Sequence, residues 1–147
     1  MTLSLLSWRR TVSELYAGVR ATPDAEAAWN RWRVGRDQLF AAHPNSPIQR
    51  SRFRGLRYRT YDSYYRFAVP LHGAEPARFE VHTATDGIVP FTRAGRVELP
   101  GLGSLDVWWL ETYGGGIFLP LKDATCGETS YGGGRYLLDT VKGADLG

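Results

Sequence analysis

Nine side chains of the kinds that bind ligands or transfer protons lie within fourteen positions in the C-terminal third of the chain. They are Lys122, Asp123, Thr125, Cys126, Glu128, Thr129, Ser130, Tyr131 and Arg135. A cation beside a carboxylate can orient a substrate, and Asp123 can act as a base. Tyr131 or Arg135 can stabilise developing negative charge. Asp123, Tyr131 and Arg135 are therefore the candidate catalytic residues.

The same segment has a structural interpretation that carries more weight. Asp-x-Thr followed by glycine is typical of a turn in which the aspartate accepts hydrogen bonds from nearby backbone amides. On that interpretation Asp123 holds the loop together and has no part in a reaction. A small-molecule site is the third interpretation, and the sequence identifies no cofactor for it. Its candidate ligand-binding residues are Trp108, Tyr113, Lys122, Thr125 and Ser130.

Other chemistry-bearing patterns are weaker. The glycine runs Gly114–Gly116 and Gly132–Gly134 lack the spacing of a nucleotide-binding fingerprint and a helix to receive a phosphate, so they favour two similar strand starts at one end of a sheet.

Glu80 and His82 share a face of a predicted strand, but the spacing suggests no third ligand, and no metal site is predicted. Cys126 has no Cys-His motif around it.

Size and composition indicate one soluble domain. A chain of 147 residues with 43% hydrophobic and 22% charged residues is ordinary for a single globular domain. One cysteine excludes an internal disulfide, and the first ten residues do not resemble a signal peptide. No apolar run approaches the roughly 20 residues that a membrane span needs. These features predict a cytoplasmic protein with no membrane partner.

Charge is divided unevenly along the chain. Residues 1–60 carry 11 arginines against 4 acidic residues, whereas residues 61–147 carry 7 basic and 11 acidic residues. Five of the arginines, from Arg50 to Arg59, alternate with aromatic residues, a mixture that single-stranded nucleic acid prefers. A solvated or internally paired face is the commoner origin of such a run, so the sequence does not favour nucleic acid as a partner.

The first part of the chain is predicted to be helical. Apolar residues at three- and four-residue intervals predict a helix from Leu5 to Val19 with Ser4 as its N-cap. Thr22, followed by Pro23 and two acidic residues, predicts the N-cap of a second helix that ends near Ala42. Gly35 in that helix indicates close packing.

From residue 48 onward the apolar pattern changes to the period of a β-strand. The predicted strands are 53–61, 64–71, 78–83, 88–92, 96–99, 105–113, 117–121 and 135–141. Turn signals between them include Asp86-Gly87, Ala94-Gly95 and Pro100-Gly101. Since no long helical connection interrupts the strands, the sheet should be antiparallel. The expected fold is mainly β (α+β): a two-helix arm over residues 1–43 and a β-meander over 48–147 that forms a barrel or half-barrel, all in one domain.

Several motifs together resemble those of a known family. They are the run from Asp106 to Gly147, Trp32–Phe40 (W-R-V-G-R-D-Q-L-F) and His43–Pro47 (H-P-N-S-P). The chain closely resembles the DUF1684 proteins, a bacterial and archaeal family of unknown function. Members usually have an aromatic residue and an arginine where this chain has Leu121 and Lys122. They also continue past the position of Gly147 into a segment with two cysteines and a proline-rich tail, so the resemblance implies that this chain lacks the segment and exposes a sheet edge.

Three functions follow as hypotheses. The first is a protein that binds a small molecule in a pocket near residues 122–135. The second is an enzyme, a hydrolase or isomerase, that uses Asp123, Tyr131 and Arg135. The third is a structural or protein-interaction module that associates, for instance with itself, through the exposed sheet edge.

Overall fold

The computed structural model describes residues 2–147, which divide into two compact units. The helical unit comprises Met1–Arg66 and Lys142–Gly147, and the sheet unit comprises Phe67–Val141. Each unit is described by itself below, and the single domain expected from the sequence stays a prediction.

Two helices form the base of the helical unit, α1 (Thr2–Ala21) and α2 (Ala25–Ala42). Both predicted helices are confirmed, although α1 is longer than predicted and Ser4 lies inside it. Asp24 caps α2 by accepting a hydrogen bond from the Ala27 amide at 2.6 Å, so the prediction of Thr22 as the cap was wrong. Thr22 instead donates its hydroxyl to the carbonyl of Gly18 at the end of α1. The side chain of Leu15 occupies the space beside Gly35, which is the close packing predicted there.

The segment that follows α2 contains no strand, and the predictions of strands at 53–61 and 64–71 were wrong. It contains two short 3-10 helices, Arg50–Arg52 and Ser63–Tyr65, and the residues between them have no regular secondary structure. Tyr58 packs edge-on against Trp29 and Trp32 of α2, at centroid distances of 6.5 and 5.7 Å. Tyr58, one of the aromatic residues that favoured a strand, is therefore packed on a helix face and not in a pleated sheet.

The sheet unit contains five strands. They are β1 (Arg78–Thr83), β2 (Gly87–Leu99), β3 (Gly103–Leu110), β4 (Gly116–Leu121) and β5 (Arg135–Asp139). Each strand pairs antiparallel with its neighbour in the chain, in the order β1-β2-β3-β4-β5. The two helices followed by an antiparallel sheet are as predicted. The sheet is open, with β1 and β5 at its edges, so the barrel is not confirmed.

One predicted turn is a bulge. Ala94-Gly95 lies inside β2, where the pairing with β3 shifts register between Arg93 and Gly95, so the strands predicted at 88–92 and 96–99 are one strand. Gly95 is buried because the backbone of His72 crosses it and forms an isolated bridge with Arg96. A glycine in a strand pattern can thus mark a bulge as well as a turn.

Aromatic rings fill one face of the sheet. Phe79, Phe91, Trp108, Phe118 and Tyr136 contribute one ring from each strand, with contacting centroids 4.5–6.1 Å apart. Phe91 is buried at the centre of the row. Val107 and Leu119 are also buried and, because successive residues of a strand point to opposite faces, they lie on the other side of the sheet.

The two glycine runs do precede strands. Gly116 begins β4, where a β-carbon would lie 2.5 Å from a methyl group of Val141, and Gly134 precedes β5 with φ of 88°. Since β4 and β5 are antiparallel, their starts lie at opposite ends of the sheet, so the prediction that both starts share one end was wrong.

No helix in residues 2–147 is long and apolar enough to cross a lipid bilayer.

Candidate functional site

The polar loop that joins β4 to β5 is closed by its own hydrogen bonds. One carboxylate oxygen of Asp123 accepts hydrogen bonds from the backbone amide of Thr125 at 2.9 Å and from its hydroxyl at 2.6 Å. The Thr125 hydroxyl also contacts the hydroxyl of Ser130 at 2.9 Å, and the Thr125 carbonyl accepts the amide of Ser130. This arrangement is the hydrogen-bonded turn that Asp-x-Thr favours.

Arg135, the first residue of β5, forms an ion pair with the second oxygen of Asp123. The hydrogen bonds from Thr125 lower the pKa of the Asp123 carboxyl, and the positive charge of Arg135 lowers it further. Asp123 is therefore ionised at neutral pH, and because its pKa is low it is a weak base. Both side chains remain about two-fifths exposed, so the pair is open to solvent.

Tyr131 does not join this cluster. Its side chain is 78% exposed, and its ring lies beside Gly133. The thiol of Cys126 donates to the carbonyls of Tyr131 and Gly132, at 3.4 and 3.2 Å. Asp123, Thr125, Ser130 and Arg135 are thus brought together, whereas Tyr131 points into solvent.

The aromatic residues expected to line a pocket are elsewhere. Trp108 contacts Phe79 at 4.5 Å between ring centroids and lies under the guanidinium of Arg93. Tyr113 is fully exposed in the loop between β3 and β4, and Lys122 is exposed beside Gly134. A groove of about 320 Å³ lies beside Arg78 and Arg93, and another of about 490 Å³ lies between α1 and α2. Neither groove is lined by a residue of the 122–135 segment.

A second charged cluster was not anticipated from the sequence. Asp106 on β3 pairs with Arg93 at 3.0 Å and with Arg96 at 2.8 Å, both on β2. The hydrogen bond from Arg96 is the main reason that the pKa of Asp106 is lowered, and the charge of Arg93 adds to it. The only signal in the sequence is an acidic residue in an otherwise apolar strand, and its partners depend on the register across the bulge.

The outer edge of β1 has no strand beside it among the described residues. The carbonyl of Ala77 accepts the amide of Arg93 at 2.8 Å, so residues of odd number direct their backbone groups toward β2. The backbone groups of Arg78, Glu80 and His82 consequently point away from the sheet, and these side chains are exposed. Within the part of the chain that the structure describes, β1 pairs with β2 alone.

Glu80 and His82 share the same face of β1, as the spacing predicted. Glu80 lies 3.6 Å from Arg78, which also contacts Glu111 at 3.7 Å. Among residues 2–147, no group of three or more His, Cys, Asp or Glu side chains is placed to hold a metal ion.

The chain is a small α+β protein: two helices are followed by an open antiparallel sheet of five strands. The polar loop before the last strand is closed by hydrogen bonds between its own residues. The family model described as "Protein of unknown function (DUF1684)" matches residues 51–147. The chain belongs to the DUF1684 family, as its motifs indicate. No curated protein matches the chain.

Proposed function

We propose that the sheet unit is a self-association module in which β1 of one copy pairs with β1 of a second copy. The observation that carries the proposal is the outward direction of the backbone N–H and C=O groups of Arg78 and Glu80. An edge of this kind is a template for another strand. The part of β1 that would pair, residues 78–80, has no proline and no bulge against β2, so it is regular enough to continue the ladder.

Charge selects one register. Charged side chains on an edge strand normally discourage pairing. In an antiparallel register centred on Phe79, however, Arg78 lies opposite Glu80 of the second copy, and Glu80 lies opposite Arg78. Both residues have outward backbone groups, so they form hydrogen-bonded pairs, and the two Phe79 rings meet in the closer, non-hydrogen-bonded pair between them. Phe79 is 36% exposed and available for that contact.

A charge swap tests this register. Glu80→Arg places a second arginine opposite Arg78 at both ends of the pairing, and we expect it to weaken dimerisation roughly tenfold in sedimentation velocity measurements. The double variant Arg78→Glu/Glu80→Arg restores opposite charges in this register alone and should recover the dimer. Glu98→Arg is the matched control, since Glu98 is an exposed residue of β2 and the charge change is the same. A protein that stays monomeric at millimolar concentration, or a swap that fails to rescue, would refute the proposal.

A small-molecule site at residues 122–135, or an enzyme that uses it, is the second candidate. It is supported by the convergence of Asp123, Thr125, Ser130 and Arg135 at one place. Native mass spectrometry of the purified protein, followed by the same measurement on Asp123→Asn, tests it. A bound molecule that is lost in the variant while the fold persists would favour this candidate over a purely structural loop.

A further inference from the structure

The arginines of residues 50–59 face solvent from a segment whose other side is packed. Arg52, Arg54, Arg57 and Arg59 are exposed, as is Arg50. Between them, Phe53, Leu56, Tyr58 and Tyr61 are partly buried. The segment therefore has one face directed inward and one face of guanidinium groups.

Acidic residues of the helical unit do not neutralise these arginines. Among the described residues, none of the five forms an ion pair within its own unit, and only Arg54 has side-chain hydrogen bonds there, to the carbonyls of Ser51 and Phe53. Asp24 and Asp62 cap helices, and Asp145 pairs with Arg20. The unit has 13 basic and 6 acidic residues, a net charge of +7. Internal pairing, which the sequence suggested, does not account for the run within this unit.

The segment that carries the arginines is fixed to α2 by hydrogen bonds and ring contacts. The carboxylate of Asp37 in α2 accepts the amide of Leu56 at 3.1 Å and contacts the Tyr58 hydroxyl at 3.3 Å. Tyr61 packs against Trp29 at a centroid distance of 5.9 Å. Arginines presented from a fixed backbone lose less conformational freedom on binding than arginines on a flexible chain.

Two tyrosines continue the exposed face. Tyr64 and Tyr65, in the 3-10 helix that ends the segment, are 54% and 64% exposed. Their rings contact each other edge-on at 5.2 Å. Unlike Tyr58 and Tyr61, which pack against α2, they present ring surface to solvent, and bases stack on such rings.

We propose that residues 50–65 bind single-stranded nucleic acid, with the arginines at the phosphates and Tyr64 and Tyr65 stacked on bases. Phosphate contacts of this kind carry no sequence information, so binding should be independent of sequence and strongly dependent on salt. The tyrosines favour a single strand over a duplex, because bases in a duplex are already stacked on one another. This proposal is independent of β1, which lies in the other unit.

Fluorescence anisotropy of the full chain with a labelled mixed-sequence oligonucleotide, over a series of salt concentrations, tests the arginines. We expect Arg57→Ala/Arg59→Ala to make the slope of the logarithm of the binding constant against the logarithm of the salt concentration less steep by about 1.4, because two phosphate contacts with the single strand are lost. Arg9→Ala/Arg10→Ala removes the same charge from exposed positions of α1 and should leave the slope unchanged.

A second pair of variants tests the tyrosines. Tyr64→Ala/Tyr65→Ala should lower the affinity roughly tenfold without changing the salt slope, because a stacking contact involves no counterion. Tyr113→Ala/Tyr131→Ala removes two exposed tyrosines of the sheet unit and should have no effect.

Four results would overturn the proposal. They are no binding at low salt, an equal loss in the Arg9/Arg10 control, a duplex that binds more tightly than the single strand, and an acidic peptide such as polyglutamate that binds as well as the oligonucleotide. The last result would assign the face to acidic proteins.

Discussion

The carbonyl oxygen of His72 lies 2.5 Å from the position that a β-carbon on Gly95 would occupy. The contact belongs to a two-bond bridge in which His72 and Arg96 exchange backbone hydrogen bonds, each of 2.9 Å. The close approach of His72 to β2 thus depends on a residue without a side chain, and the segment before β1 is held to the sheet at this point.

Gly95→Ala should therefore break the bridge. We expect the free energy of unfolding to fall by about 2–4 kcal/mol in urea titration, because backbone must move and two hydrogen bonds are strained. Gly73→Ala is the matched control: its added methyl group would meet no atom within 4 Å, so stability should change little. Equal stability of both variants would mean that the bridge does not hold the segment.

Asp106 makes the sheet unit sensitive to acid. Its pKa is lowered in the folded state, so the unfolded chain binds more protons as the pH falls through about 4. The stability contributed by the Arg93 and Arg96 contacts is present above that pH and is lost as the pH falls through the lowered pKa of the folded protein. Asp106→Asn should cost about 1 kcal/mol at pH 7 and should flatten the acid limb of the stability profile. Asp86→Asn, in the exposed turn between β1 and β2, should leave both unchanged.

Phe91 should contribute more to the stability of the sheet unit than any other ring of the aromatic row. It is buried between Phe79 and Phe118, at centroid distances of 4.7 and 5.6 Å. Phe91→Ala should lower the free energy of unfolding by about 3–5 kcal/mol. Phe79→Ala should cost clearly less, since that ring is already partly exposed; similar losses would contradict the placement of the core.

The turn at Asp123 gives a prediction that needs no ligand. Asp123→Ala removes the acceptor of the Thr125 amide, so the exchange of that amide with solvent should speed up in hydrogen–deuterium measurements. Asp123→Asn keeps an acceptor oxygen at the same place and should protect the amide largely as the native residue does. If both variants exchange at the native rate, the carboxylate does not hold the loop.

Residue patterns and turn residues predicted those elements of the fold that pair with a neighbour in the sequence. β1 was predicted at its observed bounds because its alternation is followed at once by Asp86-Gly87, a turn that brings β2 alongside. The strands predicted at 53–61 and 64–71 were wrong for a physical reason. Aromatic residues favour a strand because they need a packed surface, but Tyr58 finds that surface on Trp29 and Trp32 of a helix. Tyr65 and Leu71, which belong to the predicted alternation of 64–71, are exposed.

The contacts of the candidate site also differ in how well the sequence predicts them. The contact between Asp123 and Thr125 spans two residues and follows from residue type, whereas the pairing of Asp123 with Arg135 requires β4 and β5 to be in their observed register. Tyr131 is close to these residues in sequence alone: its side chain is exposed, and its ring lies beside Gly133.

The order of the strands across the sheet is their order along the chain, and this has a kinetic consequence. Every pairing between two of the five strands joins neighbours in the chain, so little chain entropy is lost when each pair closes. Assembly can proceed hairpin by hairpin, and refolding of the sheet unit should be faster than that of β-proteins of similar size whose strands pair across long stretches of sequence.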